Sequence, residues 1–134
     1  MPEENVEVVR KLWQALDDGD LDSWMHLCDE RVEIRNPPDF PVRGPYRGHA
    51  GVRQWATEQW EVFTGLHHVV EAVLEAPDDD TVVSVQRTQG RMAHTKLKTD
   101  VEWAAVWTLK DGKVLRAQGY MSKAEALEAA GLRE

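Results

Sequence analysis

The side chains best suited to holding a small molecule in this chain are indoles and a few polar groups at strand spacing. Residues 101–109 alternate as a strand that places Trp103, Ala105, Trp107 and Leu109 on one face, because successive strand side chains point to opposite sides. Two tryptophans on one face can stack a flat ligand, each with a single N–H donor, or can simply fill a core. Arg87 and Gln89 share strand parity with Val83 and Val85, which turns a cation and an amide toward an apolar interior. A buried Arg requires a partner, either a ligand anion or an internal carboxylate such as Glu33; the other reading is a strand-end Arg reaching solvent. Six tryptophans in 134 residues suit an aromatic-lined cavity, and Trp13, Trp24, Trp55 and Trp60 fall on helical patterns, where core packing is the ordinary use.

Other reactive residue types lack the company their chemistry needs. His67 and His68 point to opposite faces of a strand, so at most one looks inward, and His49 opens a helix beside Gly48, where a charged imidazolium is disfavoured. With no Cys, Asp or second His at ligand spacing, no metal site is expected. Gly19-Asp20-Leu21-Asp22 reads as helix capping rather than as a metal loop. There is no Gly-rich phosphate loop, GxSxG elbow or CxxC pair, and no cofactor is expected. The lone Cys28 excludes an internal disulfide and is expected as a buried thiol on an amphipathic helix.

Composition fits one soluble globular domain over residues 1–134, with 42% hydrophobic and 30% charged residues. A net charge of -8 with scattered basic residues argues against nucleic acid. The acidic start running into a helical pattern implies no signal peptide, and no apolar stretch approaches the roughly 20 residues of a membrane span. A cytoplasmic protein without membrane association is expected.

The elements that must position these groups follow from periodicity. Val6, Val9, Trp13 and Leu16 mark a first helix that stops at Asp17-Asp18-Gly19, and Asp20 caps a second one carrying Leu21, Trp24, Met25 and Cys28. Residues 31–35 alternate as a strand ended by Asn36-Pro37-Pro38, and a Pro- and Gly-rich loop leads to a third helix from Gly48 until Thr64-Gly65. Strands over 67–75, 81–91, 101–109 and 113–121 follow. An Asp111-Gly112 turn joins the last two, and Ser122-x-x-Glu125 starts a terminal helix. The last strand is expected to put Leu115, Ala117, Gly119 and Met121 on the inner face. Helices gathered before an antiparallel meander indicate α+β, with the helices covering one face of the sheet.

Several segments together resemble the SnoaL-like branch of the nuclear transport factor 2-like superfamily: residues 6–16 with Gly19-Asp20-Leu21-Asp22, Val32-Glu33 before Asn36-Pro37, Tyr46-Arg47-Gly48-His49-x-Gly51-Val52, and residues 107–114. The resemblance implies a cone-shaped curved antiparallel sheet packed on three N-terminal helices with a C-terminal helix, a cystatin-like roll. It also implies an apolar pocket at the open end and homodimerisation through the outer sheet face. A small, largely apolar ligand is the implied partner, with isomerase, cyclase or hydrolase chemistry or binding alone. Carried over residue by residue, the ketosteroid isomerase base falls at Asn36, its tyrosine at Leu12 and its oxyanion aspartate at Ala105. The Arg-x-Asp pair of limonene epoxide hydrolase falls on Arg87-Thr88-Gln89 and its second aspartate on Gly119. The late strand that carries an acid in polyketide cyclases has no carboxylate here. An amide, Leu, Ala or Gly cannot do that proton transfer. Asp39 and Tyr46 are placed by the resemblance in the loop bordering the opening. The candidate site is then Asp39 and Arg87 for catalysis, with Trp13, Asn36, Tyr46, Trp55, Gln89, Trp103 and Trp107 for binding.

Overall fold

The structure, a computed structural model, describes residues 2–40, 44–78 and 80–132. Its elements are α1 (Pro2–Asp17), α2 (Leu21–His26), β1 (Cys28–Arg35), β2 (Tyr46–Arg47), α3 (Gly48–Val62), β3 (Phe63–Glu75), β4 (Thr81–Met92), β5 (Lys98–Lys110), β6 (Lys113–Tyr120) and α4 (Lys123–Ala129). The order matches the α+β expectation, with the two-residue β2 added inside the Pro- and Gly-rich loop. Residues 41–43 of that loop lie outside the described residues. No helix among the described residues is long and apolar enough to cross a membrane.

Six strands form one sheet in the order β2-β1-β6-β5-β4-β3. The four later strands are the expected antiparallel meander, but β1 lies parallel to β6 rather than antiparallel. The β5–β6 hairpin closes on Asp111 at φ 52° and Gly112 at φ 77°. Both residues of a tight type I′ turn need positive φ, which is why Asp-Gly is legible as a hairpin.

Three boundaries correct the sequence reading. Cys28 is the first residue of β1, not part of the second helix, which ends at His26. Its thiol is buried as expected, and burial pushes its pKa up to about 12. β3 begins at Phe63, directly after α3, so Thr64-Gly65 lies in a strand rather than in a break. On β6, a register shift opposite Thr108 and Leu109 makes Val114 the buried residue and leaves Leu115 half-buried. A bulge inserts one residue and so reverses the face of everything before it.

The main core lies between the sheet's inner face and α1 to α3. It holds Val9, Leu12, Trp13 and Leu16 of α1, Trp24 of α2, Val52 and Trp55 of α3, and Trp103 and Trp107 of β5. The fourth helix does not join them: Ala126 and Leu127 pack with Val83, Val85 and Ala104 on the opposite face. The helices therefore cover both sides of the sheet, a correction with consequences for β4.

Candidate functional site

Strand β4 decides which polar groups face inward. Its cross-strand partners are Val82 with Trp107, Ser84 with Ala105 and Gln86 with Trp103, which puts Val82, Ser84, Gln86 and Thr88 on the inner face. The expectation that Arg87 and Gln89 turn inward with Val83 and Val85 is thus corrected. All four do share a face, but it is the outer one, where α4 covers the two valines. Arg87 lies there across from Glu102; its Nε donates to Asp100 Oδ1 at 2.9 Å, and an Nη is 3.6 Å from Glu102. Glu33 is not its partner; it accepts from Arg35 Nε at 2.9 Å.

Inside, a buried indole N–H without an acceptor costs free energy, and four of the five indoles find one. Trp107 Nε1 donates to Ser84 Oγ at 2.8 Å, and Trp13 Nε1 donates to the same oxygen at 3.4 Å. The Ser84 hydroxyl in turn donates to Gln86 Oε1 at 2.8 Å. Trp103 Nε1 donates to Thr88 Oγ1 at 2.7 Å, and Trp55 Nε1 to Asn36 Oδ1 at 2.8 Å. The rings pack edge to face, Trp13 standing nearly perpendicular to both Trp103 and Trp107 at centroid distances of 5.8 and 5.7 Å. Trp24 tilts against Trp55 at 5.4 Å.

Trp13, Trp24, Asn36, Trp55, Trp103 and Trp107 surround one interior chamber together with the small Ala105, Ala117 and Gly119. Its free volume is about 10 Å³, close to the space one water molecule needs and far below the roughly 300 Å³ at which ligand pockets begin. Arg35, half-exposed, marks the side on which the chamber meets solvent. Phe40 of the following loop lies against Trp103, ring centroids 5.2 Å apart.

Beside the chamber stands a second polar unit. His68 is buried, tilts over Trp13 at 4.7 Å, and its Nδ1 lies 2.8 Å from Asp17 Oδ1. The His68 backbone N–H also donates to both oxygens of that carboxylate, and the exposed His67 reaches it at 2.9 Å. Burial is the largest single influence on Asp17 and would raise its pKa. The hydrogen bonds from His68 and the charges of both imidazoles together outweigh it and hold the carboxyl below its ordinary value.

Of the nine candidates from sequence, the structure gathers Trp13, Asn36, Trp55, Trp103 and Trp107 around the chamber. Asp39 is exposed in the loop, and Arg87 and Gln89 belong to the outer face. Tyr46 does not border the opening: it is buried, and its hydroxyl donates to Glu58 of α3, with burial and that carboxylate raising its pKa. Ser84, Gln86, Thr88, Trp24 and the Asp17–His68 pair were missed. The available signal was the need of buried indoles for acceptors, which Trp13, Trp103 and Trp107 meet on Ser84 and Thr88 of β4.

Larger concavities exist on the surface. One of about 570 Å³ lies between α1 and α2 beside Asp18, Asp20 and Asp22, and another of about 410 Å³ lies at the Gly65 and Gly90 end of the sheet. The first is a helix-capping region, where Asp20 accepts from the Ser23 backbone N–H, and neither touches the indoles. Among the described residues no group of three His, Cys, Asp or Glu could hold a metal ion.

A curved sheet wrapped on three helices, with a chamber at the end of β1, is the fold shared by solved structures described as NTF2-like and cystatin-fold proteins. Residues 9–117 match the model of the SnoaL-like domain, and the chain belongs to that family. Solved structures of the same fold include Bal32a from a soil-derived mobile gene cassette, at 22% identity and TM-score 0.80, covering 96% of each chain. TerC co-crystallised with polyporic acid aligns at 19% identity and TM-score 0.76 over 95% of this chain and 97% of its own. The epoxide hydrolase/cyclase-like enzyme SalBIII, of pyran ring formation in salinomycin, aligns at 16% and 0.77 over 92% and 95%. No curated protein matches the sequence.

Proposed function

We propose that this protein binds a small, flat, largely apolar molecule in the tryptophan-lined chamber. The observation that supports it is the convergence of five indoles, from α1, α2, α3 and β5, on one interior space beside the end of β1. Since that space takes only about one water at rest, binding requires the Phe40 ring to leave Trp103 and the indoles to part. TerC, of the same fold, was crystallised with polyporic acid. Binding rather than turnover is the first reading because no carboxylate lines the chamber among the described residues, and Asn36, Ser84 and Thr88 are engaged by indoles. Tryptophan fluorescence titrated with fluorene and other flat polycyclic probes tests it. Saturable quenching is expected, tighter in Phe40→Ala and unchanged in Asp39→Asn and Arg87→Ala. A flat response in both the parent protein and Phe40→Ala would refute it and leave a filled core.

One observation favours an enzyme of the isomerase, cyclase or hydrolase type as a second reading: the Asp17 carboxylate orients a buried imidazole against Trp13, a wall of the chamber. His68 would then move the proton, and His68→Gln would abolish conversion of a ligand while leaving its binding intact. Conversion that survives the substitution would remove His68 from that role. A homodimer through the outer sheet face belongs to the same proposal. Its surface would carry Arg87, Glu102 and Arg116, and sedimentation of the charge-reversed Arg116→Glu as monomer would support it.

A further inference from the structure

The interior polar groups form a chain whose hydrogen-bond directions can be worked out, and the outcome is one-sided. Ser84 Oγ accepts from two indoles, Trp13 and Trp107, so both lone pairs are taken and its own hydrogen must go to Gln86. That fixes Gln86 with its carbonyl oxygen toward Ser84 and its amide nitrogen away, because the flipped amide would bring a third donor to the same oxygen. Gln86 Nε2, on a fully buried side chain, then has no partner. Trp24 repeats the pattern: it is 1% exposed, its Nε1 has no partner, and it lines the chamber. The buried side-chain atoms without partners among the described residues are thus both donors. Buried donors in a native interior call for an acceptor that belongs there.

We infer that the chamber selects molecules bearing an acceptor oxygen, such as a ketone, quinone or ether, and that Trp24 Nε1 donates its hydrogen to that oxygen. This rests on the chamber being a binding site, as proposed above. The chemistry follows from the donor excess. Among the side chains that line the chamber the unused polar atom is a donor, Trp24 Nε1, while the Asn36 oxygen is already engaged by Trp55, so it is an acceptor oxygen on the ligand that gains a new hydrogen bond. The apolar rings of Trp13, Trp55, Trp103 and Trp107 take the rest of the molecule and have no preference between a hydrocarbon and its ketone.

Fluorene and fluorenone share a skeleton and differ by one carbonyl, so the ratio of their dissociation constants reads the oxygen alone. The expected ratio is about tenfold in favour of fluorenone, the change that one retained hydrogen bond of ~1.4 kcal/mol produces. In Trp24→Phe the ratio falls to near one. In Trp55→Phe, which removes an indole whose N–H is already engaged, the ratio persists. In the parent protein the Trp24 Nε1–H proton resonance moves downfield with fluorenone and not with fluorene, a readout that does not depend on a variant folding. Equal binding of the two probes, or a preference that survives in Trp24→Phe, or an unmoved Trp24 resonance overturns the inference while the binding site stands. Failure of both probes to bind the parent protein refutes the binding proposal instead.

Discussion

Ser84 is the residue on which the interior depends most, since one oxygen serves two indoles and passes its hydrogen to Gln86. Ser84→Ala leaves Trp107 Nε1, Trp13 Nε1 and Gln86 Oε1 without that partner, and each buried polar group left so costs about 1–3 kcal/mol. Urea unfolding of Ser84→Ala is therefore expected to show a loss of at least about 2 kcal/mol, well beyond what a lost surface hydroxyl would cause. Asp17 gives a pH dependence with a definite sign. Its folded pKa lies below the ordinary aspartate value of 3.8, so its ionised form stabilises the fold in full above that value, and the contribution is lost as pH falls through the folded pKa. The stability gap between the parent protein and Asp17→Asn, followed by denaturant unfolding downward from pH 7, is expected to shrink only below about pH 4; a gap that shrinks between pH 7 and 5 would contradict this. At this scale the sequence was legible for Trp103 and Trp107 and misleading for Arg87. The parity of β4 was read correctly and its face was not, because α4 covers Val83 and Val85 on the outside while the inside carries Ser84, Gln86 and Thr88. A strand buried on both faces does not announce its inner side by hydropathy.

Among the glycines, Gly119 of β6 has the closest neighbour, the Asn36-Pro37 segment at the end of β1. A Cβ at Gly119 would lie 2.5 Å from Pro37 Cδ and 2.8 Å from its nitrogen, so the strand and the Asn36-Pro37 segment approach where no side chain fits. Gly119→Ala is expected to destabilise by about 1–3 kcal/mol, the usual range for overpacking, as measured by thermal or denaturant unfolding. A neutral result would mean that the Pro37 segment shifts freely. A carboxylate at 119, where the resemblance sets the second aspartate of limonene epoxide hydrolase, would occupy the place of Pro37. Turn chemistry made the β5–β6 hairpin legible, and the Ser122 cap, which accepts from the Glu125 backbone N–H at 3.1 Å, did the same for α4. The parallel β1–β6 pairing and the β6 bulge were not legible, since both depend on partners distant in sequence.

For the whole molecule, the order of elements and the α+β class followed from periodicity, while the state of the interior did not. Strand spacing shows which residues share a face but carries no information on whether the enclosed space is empty or occupied by its own rings. The indoles here nearly fill it, and admission of a ligand requires them to part. The six indole N–H resonances locate that event directly. On titration with fluorenone, the signals of Trp13, Trp24, Trp55, Trp103 and Trp107 are expected to shift together and saturate, while that of Trp60, half-buried and outside the chamber lining, stays in place. No saturable shift, or a shift confined to Trp60, would contradict a ligand chamber and identify the five indoles as core alone.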